Sequence, residues 1–331
     1  MQSMAQDKEI QFGALRIFVA VAESETLTGA AQKLGVTQSA VSQAITQLEA
    51  LTKTSLVARR SKPIRLTPAG EVMKEHAQRI LKDTRRMLQD VATAATGDLP
   101  RLTIGIIDSF ADAAGQELME RIAGITPRLS LQTGLAMPLS EALLDRELDI
   151  LISSDPLEDH PELECHPLLR DPFVLLVAES LCAADEATPE KLSATQPFIR
   201  YTRHSRLGKL TDLVMRRVGV EPETRFELDS TRTLVKTVHA GKGWAVATSL
   251  CLAQHPDLLE GVHMAPLAKG ANARYLCLLA RRDELGDTPT RIAAICREIY
   301  RDDVLQRVLQ LMPWLQDQAT AIDEAPAIWS G

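Results

Sequence analysis

The seven residues Thr28 to Leu34 and the Gly35 that follows constrain this chain more than any other feature. The run, TGAAQKL, puts small Ala30 and Ala31 where a second helix must approach closely. Gly35 supplies a tight turn, which Val36 is expected to plug from below. Thr37 opens the next helix as its N-cap, because its hydroxyl can accept an orphan backbone N–H. In that helix Val41, Ile45 and Leu48 fall at i, i+4 and i+7, one buried stripe. The other face carries Gln38, Ser39, Ser42, Gln43 and Thr46, with no acid until Glu49 and no bulky apolar group. These are short donors and acceptors of the kind that enter a DNA major groove, where Gln pairs bidentately with adenine and Ser serves either base edge. Ala-rich helix pairs joined by Gly also occur in ordinary helical proteins, so the turn alone does not decide.

The stretch from Ala50 to Gly70 does. From Ala50 to Gly70 there is no acid, while Lys53, Arg59, Arg60, Lys62 and Arg65 all fall there. Leu56–Arg59 and Ile64–Leu66 are short strand-like runs around the Pro-containing turn Arg60-Ser61-Lys62-Pro63. A cationic hairpin beside a polar helix suits phosphate and minor-groove contact, which makes Arg59, Arg60, Lys62 and Arg65 candidate contacts. The whole chain has a formal charge of −7, yet residues 1–95 carry 13 Lys and Arg against 9 Asp and Glu. A basic head on an acidic body is expected when only one end meets phosphate.

Thr67-Pro68 reads as a hydroxyl cap followed by Pro at the first helical position. The segment to about Ala95 contains no further Pro, and Met73, Ala77, Ile80, Thr84, Met87, Val91 and Ala94 recur at spacings of four and three. This is close to a heptad seam on a helix roughly 40 Å long. The stripe packs either on its own chain or, in the better reading, on a second copy. Thr96-Gly97-Asp98-Leu99-Pro100 makes a hinge.

Beyond the hinge short apolar runs alternate with helical stretches. Strands are expected at Arg101–Ile107, Leu129–Leu135, Asp149–Ile152, Phe173–Ala178, Phe198–Tyr201, Arg225–Leu228, Trp244–Ala247 and Tyr275–Ala280, with helices at Phe110–Ala123 and Leu139–Glu147. That is an α/β pattern with mostly parallel sheets. Open α/β sheets bind ligands where strand C-termini meet helix N-termini. Those positions hold Asp108, Ser109, Met137, Ser140, Ser153, Ser154, Arg200, Thr202 and Thr248. The set is rich in hydroxyls with one cation, so a small, anionic ligand fits. Any single Ser there could instead be an N-cap, and Arg200 a lobe–lobe ion pair.

The run from Leu15 to Gly70 resembles the N-terminal domain of the LysR-type transcriptional regulators. The matching residues are Leu15 with Phe18, Ala30-Ala31 with Leu34, Gln38 to Ser42, Ile45 with Leu48-Glu49, and Leu66 to Gly70. Thr52-Lys53 stands where the family has Leu-Gly, and Leu56-Val57 where it has Leu-Phe. The resemblance implies an all-α winged helix-turn-helix domain (1–67), a linker and dimerisation helix (68–96), and an α/β effector-binding domain (97–313). The last would form two Rossmann-like, periplasmic-binding-protein-like lobes, about 101–170 with 268–313 and about 171–267, crossing near Arg170 and returning near Gly270. It also implies double-stranded DNA, a second copy (homodimer or dimer of dimers) and RNA polymerase as partners, with a small-molecule coinducer in the cleft.

Other classes find little support. The sequence holds no Gly-x-Ser-x-Gly elbow, no phosphate-cradling Gly-rich loop ending in Lys-Ser/Thr and no His/Cys metal cluster, so neither an enzyme nor a metal or other cofactor is expected. A binding protein without a DNA role would not need residues 15–66. No apolar run approaches the ~18 residues of a membrane span, and the polar start MQSMAQDKEIQF lacks a signal-peptide core, so a cytoplasmic protein is expected. Cys165, Cys182, Cys251, Cys277 and Cys296 form no Cys-x-x-Cys pair, and each reads first as a buried reduced thiol. A thiol switch is the rival to a metabolite as the signal, with Cys165 the first candidate. The residues after Tyr300, including an apolar helical face from Val304 to Met312, are expected to pack on the first lobe, ahead of a tail from 314 to 331.

Overall fold

Local caps set the first three helices, α1 (Phe12–Ala22), α2 (Leu27–Leu34) and α3 (Gln38–Thr52). Thr26 Oγ1 accepts from Gly29 N at 3.0 Å, and Thr37 Oγ1 accepts from Ala40 N at 3.2 Å. Gly35 takes φ +67°, and the turn closes through Val36 N to Ala31 O at 3.0 Å. Val36 does not plug it: backbone bonds close the turn, and the side chain is 39% exposed. Leu15, Phe18, Val21, Ala30, Ala31, Val41, Ile45 and Leu48 share one core. In this computed structural model the described residues are 10–24, 26–58, 63–96, 101–267 and 272–326, and they divide into two units, Met1–Asp98 and Leu99–Gly331.

Among the described residues the hairpin expected after α3 shows one antiparallel bridge, Val57 with Leu66, flanked by Ala58 N to Arg65 O at 2.9 Å and Thr67 N to Leu56 O at 3.0 Å. Thr67 caps helix α4 (Pro68–Thr96) by accepting from Gly70 N at 3.0 Å, and its own hydroxyl donates to Ser55 O at 2.7 Å. Gly70 is required because a Cβ there would stand 2.1 Å from Leu56 O. The apolar stripe of α4 divides. Ala77 is buried in the helix-turn-helix core, with Met73 and Leu81 packed against it. Ile80, Met87, Leu88 and Val91 are exposed, Val91 by 64%. The seam expected to run unbroken from Met73 thus begins on its own chain and emerges only after Ala77. Arg59, Arg60, Lys62, the hinge at 97–100 and the side chain of Ala94 lie outside the described residues.

The second unit begins with β1 (Leu102–Ile107), α5 (Asp108–Ile122), β2 (Leu129–Gly134), α6 (Ala136–Leu144) and β3 (Ile150–Ser153). A 16-residue strand, β4 (Leu163–Ala178), follows. Then come α7 (Pro189–Thr195), β5 (Phe198–Tyr201), α8 (Arg206–Val218), β6 (Thr224–Leu228), α9 (Thr231–His239), β7 (Trp244–Thr248), α10 (Ser249–Leu252), β8 (Val262–Pro266) and β9 (Ala273–Arg281). The strand order is β2-β1-β3-β9-β4-β7-β5-β6. Pairing is parallel at β1–β2, β1–β3, β5–β6 and β5–β7 but antiparallel wherever β4 or β9 takes part, so the sheets are mixed rather than mostly parallel. Leu163–Pro172 pairs with β9 in the first lobe, and Phe173–Ala178 with β7 and β8 in the second. Pro167 and Pro172 hid the first half of β4; the strand accommodates Pro167 beside a bulge before Leu169.

The C-terminal segment also departs from expectation. Helix α11 (Thr288–Ile299) packs in the first lobe's core, and a π-helical turn at Tyr300–Val304 leads into α12 (Leu305–Leu311). Val308, Met312, Leu315 and Ala319 then enter the second lobe's core, not the first. The π turn shifts the helical register, so one continuous apolar face addresses two cores in succession. The chain returns as β10 (Thr320–Ala321), which pairs with β4 at Leu169 and Arg170. Among the described residues no helix is long and apolar enough to cross a membrane.

Lys53 ends α3 at φ +53°, a left-handed conformation that costs a side chain about 1 kcal/mol. Lys53→Gly is therefore expected to raise the stability of the first unit by about that amount, read as a higher denaturant midpoint for its transition. An unchanged or lowered midpoint would contradict the strain.

Candidate functional site

The exposed face of α3 is built as its sequence required. Thr37, Gln38, Ser39, Ser42 and Gln43 are all exposed, while Val41, Ala44, Ile45 and Leu48 are buried. Thr37 Oγ1 and Ser39 Oγ share a 2.9 Å hydrogen bond at the helix start. The acid that closes this face, Glu49, is buried, and its Oε1 accepts from Leu56 N at 2.9 Å and Val57 N at 3.4 Å. The carboxylate is thereby withdrawn from the polar face and ties the C-terminal end of α3 to the bridge. Arg65 is exposed on that bridge, its carbonyl accepting from Ala58 N at 2.9 Å.

In the second unit the candidate ligand positions divide between helices (Asp108, Ser109, Met137 and Ser140) and strand ends or the residues just after them (Ser153, Ser154, Arg200, Thr202 and Thr248). Asp108 and Ser109 begin α5, and Met137 and Ser140 lie in α6. Pro138 suggested a later start for α6, but Pro in a first turn lacks only an N–H that has no intrahelical partner there. Burial and the nearby charge of Asp112 push the Asp108 carboxyl up. Ser153 Oγ accepts from Asp155 N at 3.1 Å, and Thr202 N donates to Leu228 O. Ser140 Oγ and Thr248 Oγ1 are buried without a hydrogen-bond partner. Such groups are uncommon in folded proteins and invite a polar occupant.

The cation read from the sequence is already engaged. Arg200 is 4% exposed, donates to Asp212 at 2.7 Å and to Tyr201 O at 3.1 Å, and so forms an ion pair within the second lobe. Two other cations reach from that lobe to the first. Arg206 stands 3.6 Å from Asp155 and its Nε donates to Ser154 O at 3.4 Å, while Lys209 Nζ lies 3.8 Å from Met137 Sδ. Both belong to the first turn of α8, whose N-cap Ser205 accepts from Gly208 N at 3.0 Å. The Ser205 cap was the signal that could have located them.

A buried ion pair joins the lobes. Asp171 on β4 faces Arg274 on β9, with Arg274 Nε donating to Asp171 Oδ2 at 2.8 Å. Asp171 Oδ1 accepts from Ser249 Oγ at 2.7 Å and Leu250 N at 2.9 Å, at the start of α10. Arg274 Nη2 donates to Ser109 Oγ at 2.8 Å, so one of the candidate ligand hydroxyls is held by this network. Sequence reading missed both charges because Asp171 and Arg274 lie just before the expected strand starts at Phe173 and Tyr275.

Residues 12–71 match the family described as bacterial regulatory helix-turn-helix protein, lysR family, and residues 95–298 match the LysR substrate binding domain. Among curated relatives, the uncharacterized HTH-type transcriptional regulator YusT of Bacillus subtilis is 27% identical over 276 residues, 83% of this chain and 90% of that protein. The HTH-type regulator CzcR of the same organism is 27% identical over 70% of this chain and 78% of its own length. Full-length CbnR complexed with its target DNA superposes with a TM-score of 0.63 at 21% identity, over 87% of this chain and 99% of that one. A full-length OxyR variant of Pseudomonas aeruginosa does so with a TM-score of 0.63 at 19% identity, over 96% and 99%.

Arg274→Met should cost about 3–5 kcal/mol, because it leaves the Asp171 carboxylate buried and unpaired. Asp171→Leu combined with Arg274→Met should recover only part of that, since Ser249 and the Leu250 amide lose their acceptor. Chemical denaturation of the three proteins checks the order.

Proposed function

Because the chain belongs to the LysR family of DNA-binding transcriptional regulators, we propose that it reads operator DNA with Gln38, Ser39, Ser42 and Gln43 on α3, oriented by Thr37. The observation that carries this is the α3 face itself: fully polar, exposed, and cleared of its one acid by the Glu49 hydrogen bonds to Leu56 and Val57. Arg65, with Arg59, Arg60 and Lys62 from outside the described residues, supplies phosphate contacts. Ile80, Met87, Leu88 and Val91 on the exposed part of α4 pair with a second copy, bringing two α3 helices to two half-sites. The α/β unit binds a small anionic metabolite between its lobes. The partnerless hydroxyls of Ser140 and Thr248, and the cations Arg206 against Ser154 and Asp155 and Lys209 against Met137, support that site, to which Asp108, Ser153 and Thr202 are assigned by their place at strand ends and helix starts. Occupancy would shift the contacts across the cleft and hence promoter binding.

On the best operator duplex, Gln38→Ala is expected to lose about 1–3 kcal/mol and to relax preference at one base pair. Arg65→Ala should weaken all sequences together and reduce the salt slope by about 1. Ile80→Glu should yield monomers by sedimentation and reduce affinity for a two-half-site operator. Equal affinity of Gln38→Ala and the parent for every base at every position would remove Gln38 as a reader.

For the cleft, a thermal-shift screen of carboxylate-bearing metabolites is the test. Ser140→Ala and Thr248→Ala remove hydroxyls that make no hydrogen bond in the structure, so the melting of the free protein should change little. The shift produced by an active metabolite should fall in both. Retention of the full shift in both variants would exclude these hydroxyls from the site.

A further inference from the structure

The β4–β9 ladder brings two of the five cysteines together. Cys165 faces Leu279 and Pro167 faces Cys277, so both cysteines project from the same face of the ladder, one diagonal step apart. The two thiols lie within electrostatic reach of each other. The two differ sharply in surroundings. Cys165 is exposed, whereas Cys277 is buried with its sulfur 3.7 Å from Ser153 O and 3.9 Å from Asp155 O. Cys182 is partly exposed elsewhere, Cys251 lies against Arg274, and burial pushes the Cys296 thiol up to about 12.

We propose that Cys165 and Cys277 form a reversible dithiol–disulfide site, with Cys165 as the thiol attacked by a hydroperoxide and Cys277 as the thiol that resolves it. This input goes beyond the metabolite reading and needs no ligand in the cleft. The division of roles follows from exposure: Cys165 is open to solvent, whereas Cys277 is buried. Proximity to Cys277 lowers the Cys165 thiol below its ordinary range, whereas that same neighbour and burial hold Cys277 protonated. The exposed partner is thus the better nucleophile and the buried one the proton source.

The chemistry closes in two steps. The Cys165 thiolate attacks the terminal oxygen of the hydroperoxide; the O–O bond breaks, an S–O bond forms, and the alkoxide leaves as the alcohol with a proton from solvent. Cys277 sulfur then attacks the sulfenic sulfur; the S–O bond breaks, an S–S bond forms, and the hydroxyl leaves with the Cys277 proton as water. Two thiols are oxidised by two electrons in all, and one peroxide bond is reduced. Diagonal neighbours stand about 7–8 Å apart, and a disulfide needs Cα atoms within about 7 Å. The bulge between Pro167 and Leu169 lets β4 yield that difference.

The consequence falls on the cleft. The reduced Cys277 thiol points at the carbonyls of Ser153 and Asp155, and this loop holds the contacts to Arg206 of the second lobe. A disulfide withdraws that sulfur toward Cys165 and removes its proton.

The test treats the full chain with stoichiometric hydrogen peroxide, alkylates the remaining thiols and maps peptides without reduction. The parent protein should lose two of its five alkylatable thiols and yield a peptide cross-linked between Cys165 and Cys277. Cys277→Ala should stop at a sulfenic acid on Cys165, trapped by dimedone, and Cys165→Ser should leave Cys277 reduced. Backbone hydrogen exchange over residues 150–160 should rise several-fold in the oxidised parent and not in oxidised Cys165→Ser. An unreacted Cys165, a cross-link to Cys182 instead, or a correct cross-link with unchanged exchange over 150–160 would each overturn the proposal. Should Cys277→Ala fail to fold, the cross-link map and exchange of the parent decide it.

Discussion

The buried pair of Asp171 and Arg274 governs how the α/β unit holds together. Both side chains are almost wholly removed from water, an arrangement that survives only if every lone pair and proton finds a partner. Here those partners come from both lobes: Ser109 at the start of α5 in the first, and Ser249 with the Leu250 amide at the start of α10 in the second. The pair therefore sets the spacing of two helix N-termini as well as the register of β4 on β9. Apolar side chains could fill the same volume without fixing direction. Directional bonds at the point where β4 passes from one sheet to the next restrict the lobes to a narrow set of relative angles, which is the condition for a modest force in the cleft to matter.

In the first unit the comparable constraint is Glu49. A carboxylate buried at the C-terminal end of a helix is poorly placed with respect to the helix dipole, yet its two backbone donors, Leu56 and Val57, lie on the segment that leads to Arg65. The same segment supplies Leu56 O, against which Gly70 packs, and Ser55 O, which takes the Thr67 hydroxyl. The polar face of α3, the cationic bridge and the start of α4 are thus fastened to one another by polar bonds around a small apolar core. Moving any one of them moves the surface offered to a nucleic acid.

Much of this could be read from the chain, and the failures have physical causes. The helix-turn-helix was legible because its signals are local: Thr37 as a cap, Gly35 in the left-handed region, and one helical stripe. Val36 misled because a backbone bond to Ala31 closes the turn without help from its side chain. Met73 and Ala77 looked like the rest of the α4 stripe, since spacing cannot reveal which partner a face meets. Prolines hid structure twice. Pro138 sits harmlessly in the first turn of α6, and Pro167 and Pro172 lie within a paired strand. The cleft was legible as a set of hydroxyls, but its charges were not. Arg200 is silenced by Asp212, twelve residues away, and Arg206 reaches Asp155 across 51 positions, a distance at which no local pattern speaks.

The path of the C-terminal segment carries a consequence for the birth of the molecule. The first lobe's core needs β9 and α11, and the second lobe's core needs Val308, Met312, Leu315 and Ala319. Neither lobe can complete its interior while the ribosome is still making the other, because each waits for residues from the last third of the chain. The helix-turn-helix core draws only on residues from Ala14 to Leu81 and can close far earlier. During synthesis the nucleic-acid reader therefore matures ahead of the domain that would govern it. A nascent chain stalled before Val308 leaves the second lobe's core short of Val308, Met312, Leu315 and Ala319, the kind of incompletely buried apolar surface that chaperones and proteases recognise.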